Sequence, residues 1–273
     1  MRPLLAAAAA LAAAVAAAPA EGGHEMPIYP SFYPHEIRIE TVAPEAAARL
    51  LPTGGIHAYV AAAPAFAQAP AAPLEAAVSL GQLVVVSVDP PDCRALQSAL
   101  RDIADHPQGI VFHPWPVTPL HPDYLEQADL MAAASVRARA APATATEARI
   151  ERVDAAALVG AADPDFDGWA GPPWLKSGWF AAWRLLANDL GTVERQRATK
   201  EVASLERGGF DDLAERYAIE RDLVSSLAGN CRRAVAGYTL RREWYDADDS
   251  SGIENVDADS LSGARQCGVH SHG

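Results

Sequence analysis

The sequence predicts a mixed fold of the α/β or α+β class, with N-terminal βαβ-type units on a mixed sheet, a helical C-terminal half and a flexible acidic tail. Three observations lead to this prediction. Strand-like and helix-like runs alternate up to about residue 153. Beyond that point apolar residues recur every three to four positions, as they do on helices. The last residues lose this pattern and carry many acids.

These changes in pattern divide the chain into four segments. We predict a signal peptide over residues 1–20, an α/β domain over 21–153, a helical region packed on it over 154–245 and a partly disordered tail over 246–273. Half of the chain is hydrophobic. The part after the signal peptide is therefore long enough for one large domain or two small ones with real cores.

The N-terminal stretch predicts export. Residues 1–3 are a short basic start, an apolar run rich in Ala and Leu follows, and residues 18–20 read Ala-Pro-Ala. Small residues at those positions suit a cut after Ala20. Because the run is shorter than the roughly 20 apolar residues of a spanning helix, we expect no transmembrane segment in the mature chain. The mature protein is expected to start at Glu21 and to be soluble in the periplasm.

The net charge of −13 limits the partners of the chain. Nucleic acid and anionic membrane both repel a strongly acidic protein, so neither is expected as a partner. A small molecule, a metal ion and another periplasmic protein remain as partner classes.

Five strand-like runs alternate with helix-like runs in the first half. Strands are predicted over residues 37–42, 56–60, 83–88, 109–112 and 148–153. Helices are predicted over residues 44–51, 92–105 and 122–139. The run at 83–88 is almost continuously apolar, which is typical of a strand buried on both faces. The order of elements favours either a split βαβ arrangement or half of a binding-protein lobe.

The second half carries helical signals. An aromatic and aliphatic stripe at helical spacing is formed by Trp179, Trp183, Leu186 and Leu190. A helix is predicted over residues 193–207, ended by the two glycines at 208–209. The next helix starts at Asp211 or Asp212, and the helical region is expected to include residues 231–245.

A cluster of carboxylates in residues 163–169 predicts a cation site. Asp163, Asp165 and Asp167 occupy positions 1, 3 and 5 of an EF-hand calcium loop, a glycine occupies position 6, and the carbonyl of Trp169 is the ligand expected at position 7. The predicted cofactor is Ca²⁺ or another hard cation.

The same loop departs from the EF-hand at its end. Position 12, which needs a bidentate Glu, is Trp174, and no acid follows before Asp189. The cation hypothesis therefore requires a distant carboxylate to complete the shell. The alternative is an Asx-type turn that caps the helix starting near Pro173.

Two proline-rich segments supply second-choice metal or ligand residues. His24, Met26 and His35 have donor atoms suited to a soft metal such as copper, although packing of an N-terminal arm is the commoner explanation of such residues. His113 and His121 follow a predicted strand, and ligand sites gather beyond strand ends in open α/β sheets. The alternative for this second segment is a rigid loop with solvated histidines.

Three cysteines in an oxidising compartment predict one disulfide and one free thiol. Cys231 precedes the acidic tail and Cys267 lies within it, so we predict a disulfide between them that ties the tail to the helical region. Cys93 is then the remaining buried thiol.

The functional prediction rests partly on absent motifs. The sequence has no Gly-x-Ser-x-Gly elbow, phosphate loop or dinucleotide fingerprint, and it identifies no catalytic residue. We therefore expect an exported, non-catalytic binding or accessory protein for a small solute, a metal, or a secreted redox or transport system. The alternatives are a metal-handling protein and a hydrolase whose site carries no known motif.

Overall fold

An antiparallel β-sheet forms the middle layer of the protein. The computed structural model describes residues 38, 40–60, 62–144, 147–162 and 172–248. The strands found there are β1 (Ala58–Tyr59), β2 (Leu74–Ser87), β3 (Val111–Phe112), β4 (Arg149–Asp154) and β5 (Arg233–Asp246). Their order is β1-β5-β2-β4, and β3 lies beside β5 further along that strand.

Helices account for most of the remaining regular structure. They are α1 (Pro44–Leu50), α2 (Cys93–Asp105), α3 (Ala128–Ala140), α4 (Ala155–Gly160), α5 (Gly178–Leu186), α6 (Thr192–Arg207) and α7 (Leu213–Ala228). Short 3-10 turns occupy Leu51–Thr53, Leu125–Gln127, Pro173–Lys176 and Ala187–Asp189. The predicted mixture of helix and sheet is confirmed. Among the described helices, none combines the length and hydropathy that crossing a membrane requires.

The two long strands, β2 and β5, run antiparallel from one end of the sheet to the other and are covered on both faces. On one face, Val84 and Val86 pack with α2 and with Ala138 of α3. On the other face, Leu83 and Val85 pack with α4 to α7. Because alternate residues of a strand point to opposite faces, a strand in the middle layer has to be apolar throughout. This explains the continuous apolar run that the sequence shows at 83–88.

Local signals set several helix ends where the sequence predicts them. The carboxylate of Asp92 accepts hydrogen bonds from the amides of Arg94 and Ala95 at the start of α2. Asp212 caps α7 in the same way. Helix α6 stops at Gly208, whose φ of 66° is left-handed and therefore suits glycine.

The sheet differs from the prediction in its connectivity. All described strand pairs are antiparallel, so the predicted βαβ-type units and mixed sheet are wrong. Residues 40–43 have no regular structure, and the strand predicted over 37–42 is not formed in its described part.

Strand β5 corrects the prediction that residues 231–245 are helical. It pairs with β2 over most of its length and with β1 and β3 on its other side. Its alanines and arginines are compatible with a helix, but its position in the middle of the sheet overrides that preference. The side-chain oxygen of Asn230 accepts hydrogen bonds from the amides of Arg232 and Arg233 and so fixes the turn into the strand.

The disulfide joins Cys93 to Cys231, so the predicted pairing of Cys231 with Cys267 is wrong. The physical reason is the sheet register, which places Ser87 at the end of β2 opposite Arg233 at the start of β5. The residues just beyond those strand ends are consequently neighbours. Cys267 lies outside the described residues.

Candidate functional site

The segment that follows β3 is a proline-rich loop over residues 113–124, which we call the histidine loop. It begins where the amide of His113 donates to the carbonyl of Ala236 in β5, at 3.0 Å. Four prolines keep the loop out of regular structure, since proline lacks an amide donor. Trp115, Val117 and Thr118 are nevertheless fully or almost fully buried. The loop is therefore part of the core, in contact with the helices that cover the sheet.

Both histidines of this loop are buried, with 5% of His113 and 2% of His121 exposed. The alternative of solvated histidines is thus wrong. The ring of His113 donates through Nε2 to the carbonyl of Val117 at 2.8 Å and packs against Tyr124 and Tyr238. Burial lowers the pKa of His113, although its bond to the Val117 carbonyl opposes this effect.

His121 is held in one tautomer. Its Nδ1 accepts the backbone amide of Thr118 at 2.9 Å and lies 3.0 Å from the hydroxyl of the same residue. The proton of the neutral ring must therefore be on Nε2, which is buried and has no hydrogen-bond partner among the described residues. Burial, followed by repulsion from His113, lowers the pKa of His121 to about 3. The ring is neutral at physiological pH.

Asp123 attaches the end of the loop to helix α5. Its two carboxylate oxygens accept the amides of Gly178, at 2.7 Å, and Trp179, at 3.2 Å. A carboxylate satisfies the free amides at a helix N-terminus, and the helix dipole favours it there. Burial raises the pKa of Asp123, and the amide bonds oppose this. A Cβ placed on Gly178 would lie 2.6 Å from Cγ1 of Val117, so glycine allows the loop to approach the helix closely.

A second acid, Glu220, lies on α7 and is 1% exposed. Its Oε1 accepts from Nε of Arg216 at 2.8 Å, while Oε2 is buried without a described partner. Burial raises the pKa of Glu220 to about 7, with further repulsion from Asp123 and Glu126, although the bond to Arg216 opposes the rise. This carboxyl therefore keeps its proton to a higher pH than an exposed glutamate does.

The amide of Gln127 completes the buried polar cluster. Its Oε1 accepts from the indole nitrogen of Trp115 at 3.1 Å, and its Nε2 has no partner among the described residues. Together, these groups hold the histidine loop between the sheet and α5. The cluster consists of His113, Thr118, His121, Asp123, Gln127 and Glu220, with the partly exposed Arg216 at its edge.

The structure places the predicted ligands His113 and His121 in the same buried cluster, where Nε2 of His113 donates to a carbonyl and Nδ1 of His121 accepts an amide. Each ring therefore has one nitrogen bonded within the chain. Among the described residues, no three His, Cys, Asp or Glu side chains are grouped as a metal site requires. The ligand role of His113 and His121 stays a prediction.

The other predicted site residues lie outside the described part of the chain. These are the first-choice ligands Asp163, Asp165, Asp167 and Trp169, and the second-choice residues His24, Met26 and His35. The cation loop remains a prediction.

Sequence reasoning missed Asp123, Gln127 and Glu220. A signal for Glu220 is present, because it is the one acid in a stripe at helical spacing. That stripe consists of Leu213, Tyr217, Glu220, Val224 and Leu227. Asp123 and Gln127 gave no such signal, since their partners are remote in sequence or are backbone groups.

No protein-family model matches the chain, and no similarity to a curated protein was detected.

Proposed function

We propose that the chain is an exported, non-catalytic binding or accessory protein. It acts in the periplasm on a small solute, a metal ion, or a secreted redox or transport system. One observation carries this proposal: the buried titratable groups of the histidine loop are bonded to backbone groups of the chain itself. His113 bonds to a carbonyl, His121 to an amide, and Asp123 to the first two amides of α5.

Such bonding supports a rigid scaffold more than a reacting centre. A catalytic base has to exchange a proton near the working pH and reach a substrate. The lowered pKa of His121, about 3, makes its ring a poor base near neutrality. The burial of the loop leaves its polar atoms inside the core. Export is supported by the disulfide, which oxidising compartments favour, and by the signal-like N-terminus.

Native mass spectrometry of the protein released from the periplasm tests this function. We expect a chain that starts at Glu21 and carries a retained small molecule, metal ion or partner protein. A chain that keeps residues 1–20 and is extracted only with detergent would contradict export. A bare chain that nevertheless turns over a substrate would contradict the non-catalytic proposal.

A retained Ca²⁺ ion would favour the metal-handling alternative. With no Glu at position 12, the loop at 163–169 should bind calcium weakly, with a Kd on the order of 10⁻⁴ M. Millimolar Ca²⁺ should then raise the melting temperature, and Asp163→Ala should abolish the rise. Equal melting temperatures with and without the ion would indicate that the loop is only a helix cap.

A hydrolase is the second candidate, and one contact favours it. The hydroxyl of Thr118 lies 3.0 Å from Nδ1 of His121, within the reach of a nucleophile and its base, although this nitrogen also accepts the amide of Thr118. If this pair is catalytic, Thr118→Ala should remove turnover of ester and peptide substrates, whereas Thr118→Ser should retain it. Our proposal expects no turnover in the wild type.

A further inference from the structure

Strand β4 is the outer strand of the sheet within the described part of the chain. It pairs with β2 on one side, and no described strand covers its other side. Residues 149–152 are all exposed, including 53% of the apolar Ile150. An exposed edge offers unpaired backbone amides and carbonyls to another strand. The question is which strand suits the side chains of this edge.

We propose that β4 pairs with β4 of a second copy of this chain, in an antiparallel register centred on Ile150. Two identical antiparallel strands are related by a twofold axis normal to the sheet, which leaves each side chain on its own face. Two residues that face each other across the strand pair must then have residue numbers that are equal or that differ by an even number. With Ile150 opposite its own copy, Arg149 lies opposite Glu151, and the same pair repeats across the axis.

Charge selects this register over its neighbours. Opposite charges on directly facing residues stabilise a strand pair, and like charges destabilise it. Centring the pair on Arg149, Glu151 or Arg152 places two like charges face to face on the axis. Centring on Ile150 instead gives two Arg–Glu pairs around an apolar contact. Within β4, the alternation of charges thus favours the self-pairing centred on Ile150 and opposes those centred on Arg149, Glu151 and Arg152.

A register centred on Val153 also joins opposite charges, because it places Arg152 against Asp154. It is excluded by the structure around that end of the strand. Asp154 already caps α4 through the amide of Ala156 and accepts from Arg241 at 2.7 Å. The pairing would also have to continue into α4, where the backbone is helical.

The carboxylate of Glu151 already has one partner within the chain, which the second copy would have to share. Its Oε2 accepts from Arg233 at 2.8 Å, one strand beyond β2. In the dimer, Arg149 of the second copy would approach the same carboxylate from the open side. Because these charges are exposed, salt should weaken the association.

Sedimentation velocity at several concentrations in low salt tests the dimer. Arg149→Glu removes two attractive pairs and creates two repulsive ones. At roughly 0.5 kcal/mol for each of these four changes, we expect the dissociation constant of the dimer to rise by about 30-fold. Glu151→Arg should weaken it similarly. The double variant Arg149→Glu/Glu151→Arg restores both pairs and should recover most of the wild-type dimerisation.

Val193→Asp is the matched control, because Val193 is 75% exposed on α6, away from this edge. It should leave the association unchanged. Glu151→Arg also breaks the contact with Arg233, so Ile150→Asp provides an independent disruption at the axis. Circular dichroism melts show which variants remain folded. A wild type that stays monomeric at the highest concentration reached overturns the proposal, as does a dimer that Arg149→Glu and Ile150→Asp both leave intact.

Discussion

Single residues in this protein owe their chemistry mainly to burial. Glu220 and His121 both favour their neutral forms, because the core around them penalises charge. Their effects on stability have opposite signs. A buried base whose pKa is lowered makes the folded protein less stable as the pH falls below the pKa of that base in the unfolded chain. For histidine this unfolded pKa is about 6.5. A buried acid whose pKa is raised makes the folded protein less stable as the pH rises above the pKa of that acid in the unfolded chain.

We expect the change in unfolding free energy caused by Glu220→Gln to be more favourable at pH 8 than at pH 5. Between the unfolded pKa of 4.5 and the folded pKa of about 7, the folded state keeps a proton that the unfolded state has released. The contribution of Glu220 to wild-type stability should therefore fall across this window by roughly 2–3 kcal/mol. Glutamine does not titrate, so this pH-dependent loss of stability should be absent from the Glu220→Gln variant.

Urea unfolding of both proteins at pH 5, 6, 7 and 8 measures this difference. The histidines titrate in wild type and variant alike, so the difference isolates Glu220. Asp222→Asn, on the same helix with an exposed side chain, controls for the loss of one carboxyl group. A stability difference that is constant with pH would show that Glu220 does not titrate in this range.

At the scale of elements, the attachment of the histidine loop to α5 depends on a glycine. We expect Gly178→Ala to destabilise the protein by about 1–3 kcal/mol, because the new methyl overlaps Val117 in a filled core. Gly160→Ala, at the end of α4, is the matched control, since nothing lies within 4 Å of its added Cβ. Thermal melting compares the two variants.

The companion change Val117→Ala should recover part of the loss in the Gly178→Ala background by making room for the methyl. Equal melting temperatures for Gly178→Ala and wild type would mean that the loop does not approach α5 as closely as described.

Elements with local signals were predictable, and elements defined by distant partners were not. Helix α2 has its capping aspartate and a regular apolar face, so the prediction over 92–105 agrees with the structure. Strand β5 has no local signal of comparable strength, because its apolar and charged residues suit a helix as well. Its identity depends on β2, more than a hundred residues earlier. Asp123 was missed for the same reason, since its partners are amides of α5, more than fifty residues later.

At the scale of the whole molecule, the Cys93–Cys231 disulfide closes a large loop, with a sequence separation of 138 residues. In the chain-entropy model such a loop is worth about 4–5 kcal/mol, because the bond restricts the unfolded chain. We expect Cys93→Ser/Cys231→Ser to lower the free energy of unfolding by up to that amount. Urea unfolding under oxidising conditions measures it.

Cys267→Ser is the control for the disulfide and should leave stability unchanged. A peptide map of the oxidised wild type should recover Cys93 and Cys231 in one linked fragment. A fragment that links Cys267 to either of them would contradict the described pairing.

The position of β5 also determines the order in which the chain can fold. β5 is the last described strand in sequence, yet it lies between β2 and the two short strands β1 and β3. A growing or translocating chain therefore lacks the middle of its own sheet until residues 233–246 become free. Contacts between such distant segments form slowly, because their loop-closure entropy is lost first. The chain should therefore complete its sheet only after its C-terminal strand has emerged, which would suit the export proposed above.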